Sequence, residues 1–126
     1  MNKSDFYMLK LNTNGTTEIV TTKKRPDLQQ LYDLIGCDCI ERVYLKNGYL
    51  MIVDESGWLK ARPVPNFKAS LLYSDTQQSI AGIAVLLKLD RRACDWKALT
   101  YEEAVALQIE IEARTEAYIQ DVLMEI

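Results

Sequence analysis

The sequence predicts an α+β fold: an antiparallel or mixed sheet of five to six strands, two short helices and a long C-terminal helix. Three observations predict it. Two strand-like runs meet at Asn47-Gly48, with a helix candidate on either side and an apolar strand at 79–87 closing the unit. Short β-branched or alternating runs recur between turn dipeptides, which is strand patterning. After Thr100 no Gly or Pro interrupts the chain, and apolar residues recur at helical spacing up to residue 126.

The elements follow in order. Residues 5–12 alternate, with Phe6, Met8 and Lys10 on one strand face and Tyr7, Leu9 and Leu11 on the other. Asn14-Gly15 supplies the positive φ of a tight hairpin, and the β-branched run 16–22 returns as the second strand. Lys23, Lys24 and Arg25 make a solvated connection. Pro26 and Asp27 open a short helix through Ile35, with Leu28, Leu31, Tyr32, Leu34 and Ile35 at helical spacing and Gly36 placed as a left-handed cap. A strand over 38–46 turns at Asn47-Gly48 into the almost wholly apolar run 49–54, expected to be central and covered on both faces. Ser56-Gly57 turns the chain into a short strand over 58–61. Pro63 and Pro65 keep the next connection extended, and Asn66 caps a two-turn helix through Tyr73 that presents Phe67, Leu71 and Leu72. Residues 79–89 read as a strong strand, with Gly82 marking a bulge or a close backbone approach. Residues 90–98 read as a loop or a short turn of helix.

The last helix is the clearest element. Thr100 and Glu103 form a capping box. Ala104, Leu107, Ile111, Tyr118, Val122 and Ile126 make one stripe, which Val105, Ile109, Ile119 and Leu123 widen. A helix of roughly 24 residues is about 36 Å long at 1.5 Å per residue, against about 17–20 Å for an ordinary strand. Part of the stripe is therefore expected to project beyond the domain and to need a partner. The organisation expected is a core over 1–99 and an acidic amphipathic helix over 100–126, packed on that core or dimerising, in a single domain.

At 126 residues, 48% apolar and 26% charged, the chain can bury a core without staples. No run approaches the roughly 20 apolar residues of a membrane span. The alternating start lacks a signal-peptide core, so a cytoplasmic location is expected. The chain has no histidine, which excludes Ser-His-Asp and Cys-His catalysis and imidazole metal ligation. Cys37, Cys39 and Cys94 are odd in number and fit reduced thiols, and because Cys is commonly a small core residue, buried or idle cysteines are preferred to a metal site. A net charge of −3 offers no general attraction to nucleic acid. The charge is uneven. Residues 100–126 carry seven acids against Arg114, a net of −6, and the preceding 99 residues carry +3.

Residues 28–87 carry a family resemblance. The helix and strand of LYDLIGCDCIERVYL, the hairpin of NGYLMIVDESGWLK, the helix opened by Pro65-Asn66 with Ala69 and Leu72, and the closing strand from Ser79 to Val85 resemble the family called domain of unknown function 3846. The chain departs from that pattern at Cys37, where the family often has a second glycine, and in its acidic C-terminal helix. The resemblance implies an accessory protein of a phage, plasmid or other mobile element. It implies no reaction and no catalytic residue.

Candidate chemistry is sparse. Asp54-Glu55 opens a Ser-Gly turn, and adjacent acids diverge, so turn chemistry is preferred to an acid/base pair. Gly57 and Gly82 lack phosphate-loop spacing. Trp58, Lys60 and Arg62, with Phe67 and Lys68 following, form a cation–aromatic cluster suited to a nucleotide or phosphate, and Arg91, Arg92 and Trp96 form a second; core aromatics with solvated cations are the plainer alternative for both. The favoured expectation is a small non-enzymatic accessory protein that binds a host protein, with inhibition of a host defence system as its role. Glu103, Glu110, Glu112 and Glu116 are the contact residues of that reading, and Leu107, Ile111, Tyr118 and Val122 the stripe of a homodimer. The alternative is a nucleotide-like ligand binder with its site at a dimer interface, using Trp58, Lys60, Arg62, Arg91, Arg92 and Trp96. No cofactor, metal, membrane or direct nucleic-acid contact is expected.

Overall fold

The computed structural model describes residues 5–73 and 79–125. It contains β1 (Phe6–Leu11), β2 (Thr17–Thr22), α1 (Leu28–Ile35), β3 (Ile40–Tyr44), β4 (Tyr49–Asp54), α2 (Phe67–Leu72), β5 (Ala84–Asp90), β6 (Asp95–Lys97) and α3 (Tyr101–Met124). The sheet has six strands and every pairing is antiparallel. Its order is β2-β1-β5-β4-β3, with β6 joined to β5. The expected α+β class, with two short helices and a long C-terminal one, is the class observed.

Local chemistry accounts for the element boundaries. Asp27 caps α1: its carboxylate accepts from the Gln30 amide at 2.8 Å, and the Gln30 side chain accepts from the Asp27 amide at 2.8 Å. Gly36 ends that helix at φ 76°, where an L side chain is strained. Strand alternation then sorts the core into two layers. Tyr7, Leu9, Leu11, Met51, Val53 and Leu86 pack toward α3, with Ala69 of α2 in the same cluster. Met8, Leu50, Ile52, Val85 and Leu87 pack against Leu31 and Ile35 of α1. Strands β1, β4 and β5 are thus covered on both faces, as their apolar runs require.

Four boundaries differ from expectation. Residues 57–59 form a single 3-10 turn and no strand follows at 58–61, because Gly57 packs directly against the Ala81 backbone. Strand β5 starts at Ala84 instead of 79, since Gly82 adopts φ 89° and residues 80–82 pair with the preceding connection: the Asn66 amide donates to the Ile80 carbonyl and the Gly82 amide to the Val64 carbonyl, both at 2.8 Å. Strand β3 starts at Ile40, so Cys37 and Cys39 precede it. Residues 90–98 hold β6, closed by a turn in which Cys94 takes φ 50°. Lys88 pairs with Tyr49 of β4 on one edge and Lys97 of β6 on the other, so β6 occupies the edge shared with β1. The Leu99 amide then donates to the Tyr7 carbonyl at 2.9 Å, launching α3 from that edge. Among the described residues no helix is long and apolar enough to cross a membrane.

Candidate functional site

The Thr100–Glu103 capping box is formed, and α3 runs for 24 residues. Its first half is bound to the domain. Ala104, Leu107 and Ile111 are buried in the α3-side core, Gln108 donates to the Thr17 hydroxyl at 3.0 Å, and Lys88 donates to Glu103 at 2.6 Å. Ion pairing of Lys68 with Glu112 and an edge-on contact of Phe67 with Tyr118, ring centres 5.2 Å apart, bring α2 alongside.

Beyond Ile111 no side chain of α3 is buried. Tyr118, Ile119, Val122 and Leu123 are 45, 48, 39 and 59% exposed, and half-exposed Phe67 adjoins them through Tyr118. Scattered exposed apolar residues are ordinary, whereas a contiguous group marks an interaction surface. The same stripe continues from the buried half, since Ile111, Tyr118 and Val122 share one helix face. Exposed Glu112, Glu116, Asp121 and Glu125 lie around it. The expected projection of the helix past its domain is therefore present; Ile126 lies outside the described residues.

The candidate residues divide accordingly. Leu107 and Ile111 serve the domain's own core, so only Tyr118 and Val122 of the expected dimer stripe are accessible. Glu103 is half-buried and committed to Lys88 and to its own cap, which removes it from the expected set of free acids. Glu110 pairs with Arg114 at 3.1 Å on the surface, and exposed Glu112 pairs with the largely buried Lys68. Among the described residues Glu116 has no ion pair. Burial pushes the Glu103 carboxyl up, but bonds from Lys88 and Thr100 outweigh it and hold the carboxyl below its usual range. The bond to Glu103 in turn holds Lys88 above its own.

The cation–aromatic clusters do not assemble as expected. The Trp58 indole donates to the Ser79 carbonyl at 2.9 Å, and Lys60 pairs with Asp54 at 3.0 Å, which leaves Arg62 exposed on the connection. Trp96 packs toward the α1-side core and donates to the Pro26 carbonyl at 2.9 Å. The cation over its ring is Arg42, at 4.7 Å, while Arg91 and Arg92 stand in the β5–β6 turn. Arg42 also pairs with Asp95 at 3.3 Å. No local spacing joins residues 42 and 96, which lie on β3 and β6, two strands that do not pair with each other. Burial pushes the Cys37 thiol up, which keeps it protonated and a weak nucleophile. Among the described residues no three Cys, Asp or Glu gather into a metal-binding group.

Comparison with known proteins adds one finding. No curated protein and no solved structure matches the chain. A family model does, over residues 7–113, extending the likeness seen at 28–87 to the β1–β2 hairpin and the bound half of α3. The match stops two residues past Ile111, where burial of the helix also stops. The chain belongs to the family described as Domain of unknown function (DUF3846).

Proposed function

We propose that this protein is a non-enzymatic binding module that docks the free half of α3, with Phe67 beside it, onto another protein. The observation that carries the reading is the apolar stripe continuing past Ile111 into solvent through Tyr118, Ile119, Val122 and Leu123. The acids around it indicate the partner's chemistry. Residues 112–125 carry four acids and one base, so a second copy would set like charges against each other, and a surface with an apolar centre and a basic rim fits better. In the mobile-element setting that the family likeness suggests, the target is a host protein, and inhibition of a host defence component is the role we assign.

Native mass spectrometry of the protein purified from its host tests this. The expected result is a stoichiometric complex with a basic protein that Ile119→Asp plus Leu123→Asp abolishes while leaving the melting temperature unchanged. Rising salt should weaken the complex, because the charge term is screened. A complex indifferent to the double substitution would overturn the reading. A self-dimer lost on the same substitution would replace the foreign partner with a second copy.

A further inference from the structure

A cleft of about 590 Å³ opens where β1 begins, β6 ends and α3 starts. It lies at the opposite end of α3 from the docking surface. Its volume falls within the range of about 300–1,000 Å³ typical of small-molecule sites. Phe6, Tyr101, Arg25 and Lys97 line it, with Asp5 and Glu102 at the same wall. Tyr101 is 37% exposed, and Tyr7 meets its ring edge-on with centres 5.5 Å apart, which limits how the ring can turn.

The charges there are unequally committed. Asp5 is paired with Lys23 at 2.6 Å. Arg25 and Lys97 are exposed and have no ion pair among the described residues. The segment carrying Arg25 is tied down next to β6 by the bond from the Trp96 indole to the Pro26 carbonyl. Two cations without ion pairs thus line one cleft with aromatic side chains, and among the described residues Glu102 is the acid of that lining without a partner. A cationic ligand is disfavoured by that balance, and an inorganic anion would leave the aromatic wall unused.

We propose that this cleft binds a small organic anion with a flat ring, the anionic group held by Arg25 and Lys97 and the ring set against Tyr101 and Phe6. The site shares no residue with the two clusters legible in the sequence, and it is independent of the docking role of α3.

Isothermal titration of the full chain with adenosine monophosphate, adenosine, inorganic phosphate and an aryl carboxylate provides the test. Adenosine monophosphate or the aryl carboxylate should bind, the pair reporting which anion is preferred, and adenosine and phosphate alone should each bind at least tenfold more weakly. Arg25→Gln and Lys97→Gln should each raise Kd about tenfold or more, the size of a lost charge-assisted hydrogen bond. Ile119→Asp plus Leu123→Asp should leave it unchanged, which separates this site from the docking surface. Absence of binding by both ringed anions, or binding that survives the double Arg25→Gln, Lys97→Gln substitution, would overturn the proposal.

Discussion

Asn66 joins three parts of the fold through one side chain. It is 1% exposed, accepts from the Ala69 amide at 3.1 Å, and donates to the carbonyls of Leu11 at 3.0 Å and Gly82 at 2.9 Å. Truncation removes a helix cap and strands two carbonyls, so Asn66→Ala should cost about 3 kcal/mol in urea unfolding. Asn66→Asp keeps the cap acceptor but turns a carboxylate toward two carbonyl oxygens, and should be no milder. Gly57 makes a different demand: a Cβ there would sit 2.5 Å from the Ala81 carbonyl oxygen, and Gly57→Ala should cost about 1–3 kcal/mol. An unchanged midpoint would mean that the 3-10 turn shifts freely. The cap at Asn66 was legible from its place before an apolar run. Its bonds to Leu11 and Gly82 were not, because no local signal marks a partner 55 residues away.

Among the elements, α3 holds two regimes in one continuous helix. Ile111→Ala should cost about 2–5 kcal/mol through the cavity it leaves. Deleting residues 119–126 should change stability by less than about 1 kcal/mol, since residues 119–125 are exposed and exposed positions contribute little. The two measurements together check where anchoring ends. The anchored end also carries a pH signature. Glu103, lowered on folding, contributes stability above its unfolded pKa of about 4.3 and loses it as pH falls through the folded value. Lys88, raised on folding, contributes below about 10.4 and loses that contribution as pH rises through its folded value. Glu103→Gln keeps the capping geometry and removes the charge. Its stability should lie below wild type across the neutral plateau and converge with it in acid. A constant gap at every pH would show that the Lys88 pair contributes nothing through charge.

At the scale of the molecule, the two core layers share β1, β4 and β5, so neither can open alone without exposing the other's strands. Single-tryptophan variants should report this: Trp96→Phe leaves Trp58 as reporter and Trp58→Phe leaves Trp96, on the α1 side. In each variant the fluorescence midpoint in urea should coincide with that variant's own far-UV circular dichroism midpoint. Separated transitions would mean that the layers unfold independently. The charge asymmetry also takes its final form only at this scale. Of the seven acids after Thr100, Glu103 and Glu112 neutralise bases of the body, and Glu110 pairs within the helix. Of the other four, Glu116, Asp121 and Glu125 lie around the free half, and Glu102 stands at the opposite end of the helix.

By itself the sequence determined what depends on neighbours along the chain: the turns at Gly15 and Gly48, the caps at Asp27, Asn66 and Thr100, the two-faced strands, and a helix too long for its sheet. These are written in spacings of two to four residues, within the reach of backbone sterics and side-chain capping. Only the tertiary structure decided that β6 sits beside β1, that Arg42 lies over Trp96, that Arg25 and Lys97 share a wall with Tyr101, and that the α3 stripe divides at Ile111 into core and surface. Each of those joins residues far apart in sequence. Periodicity states which face of an element is apolar, and packing alone states what that face meets.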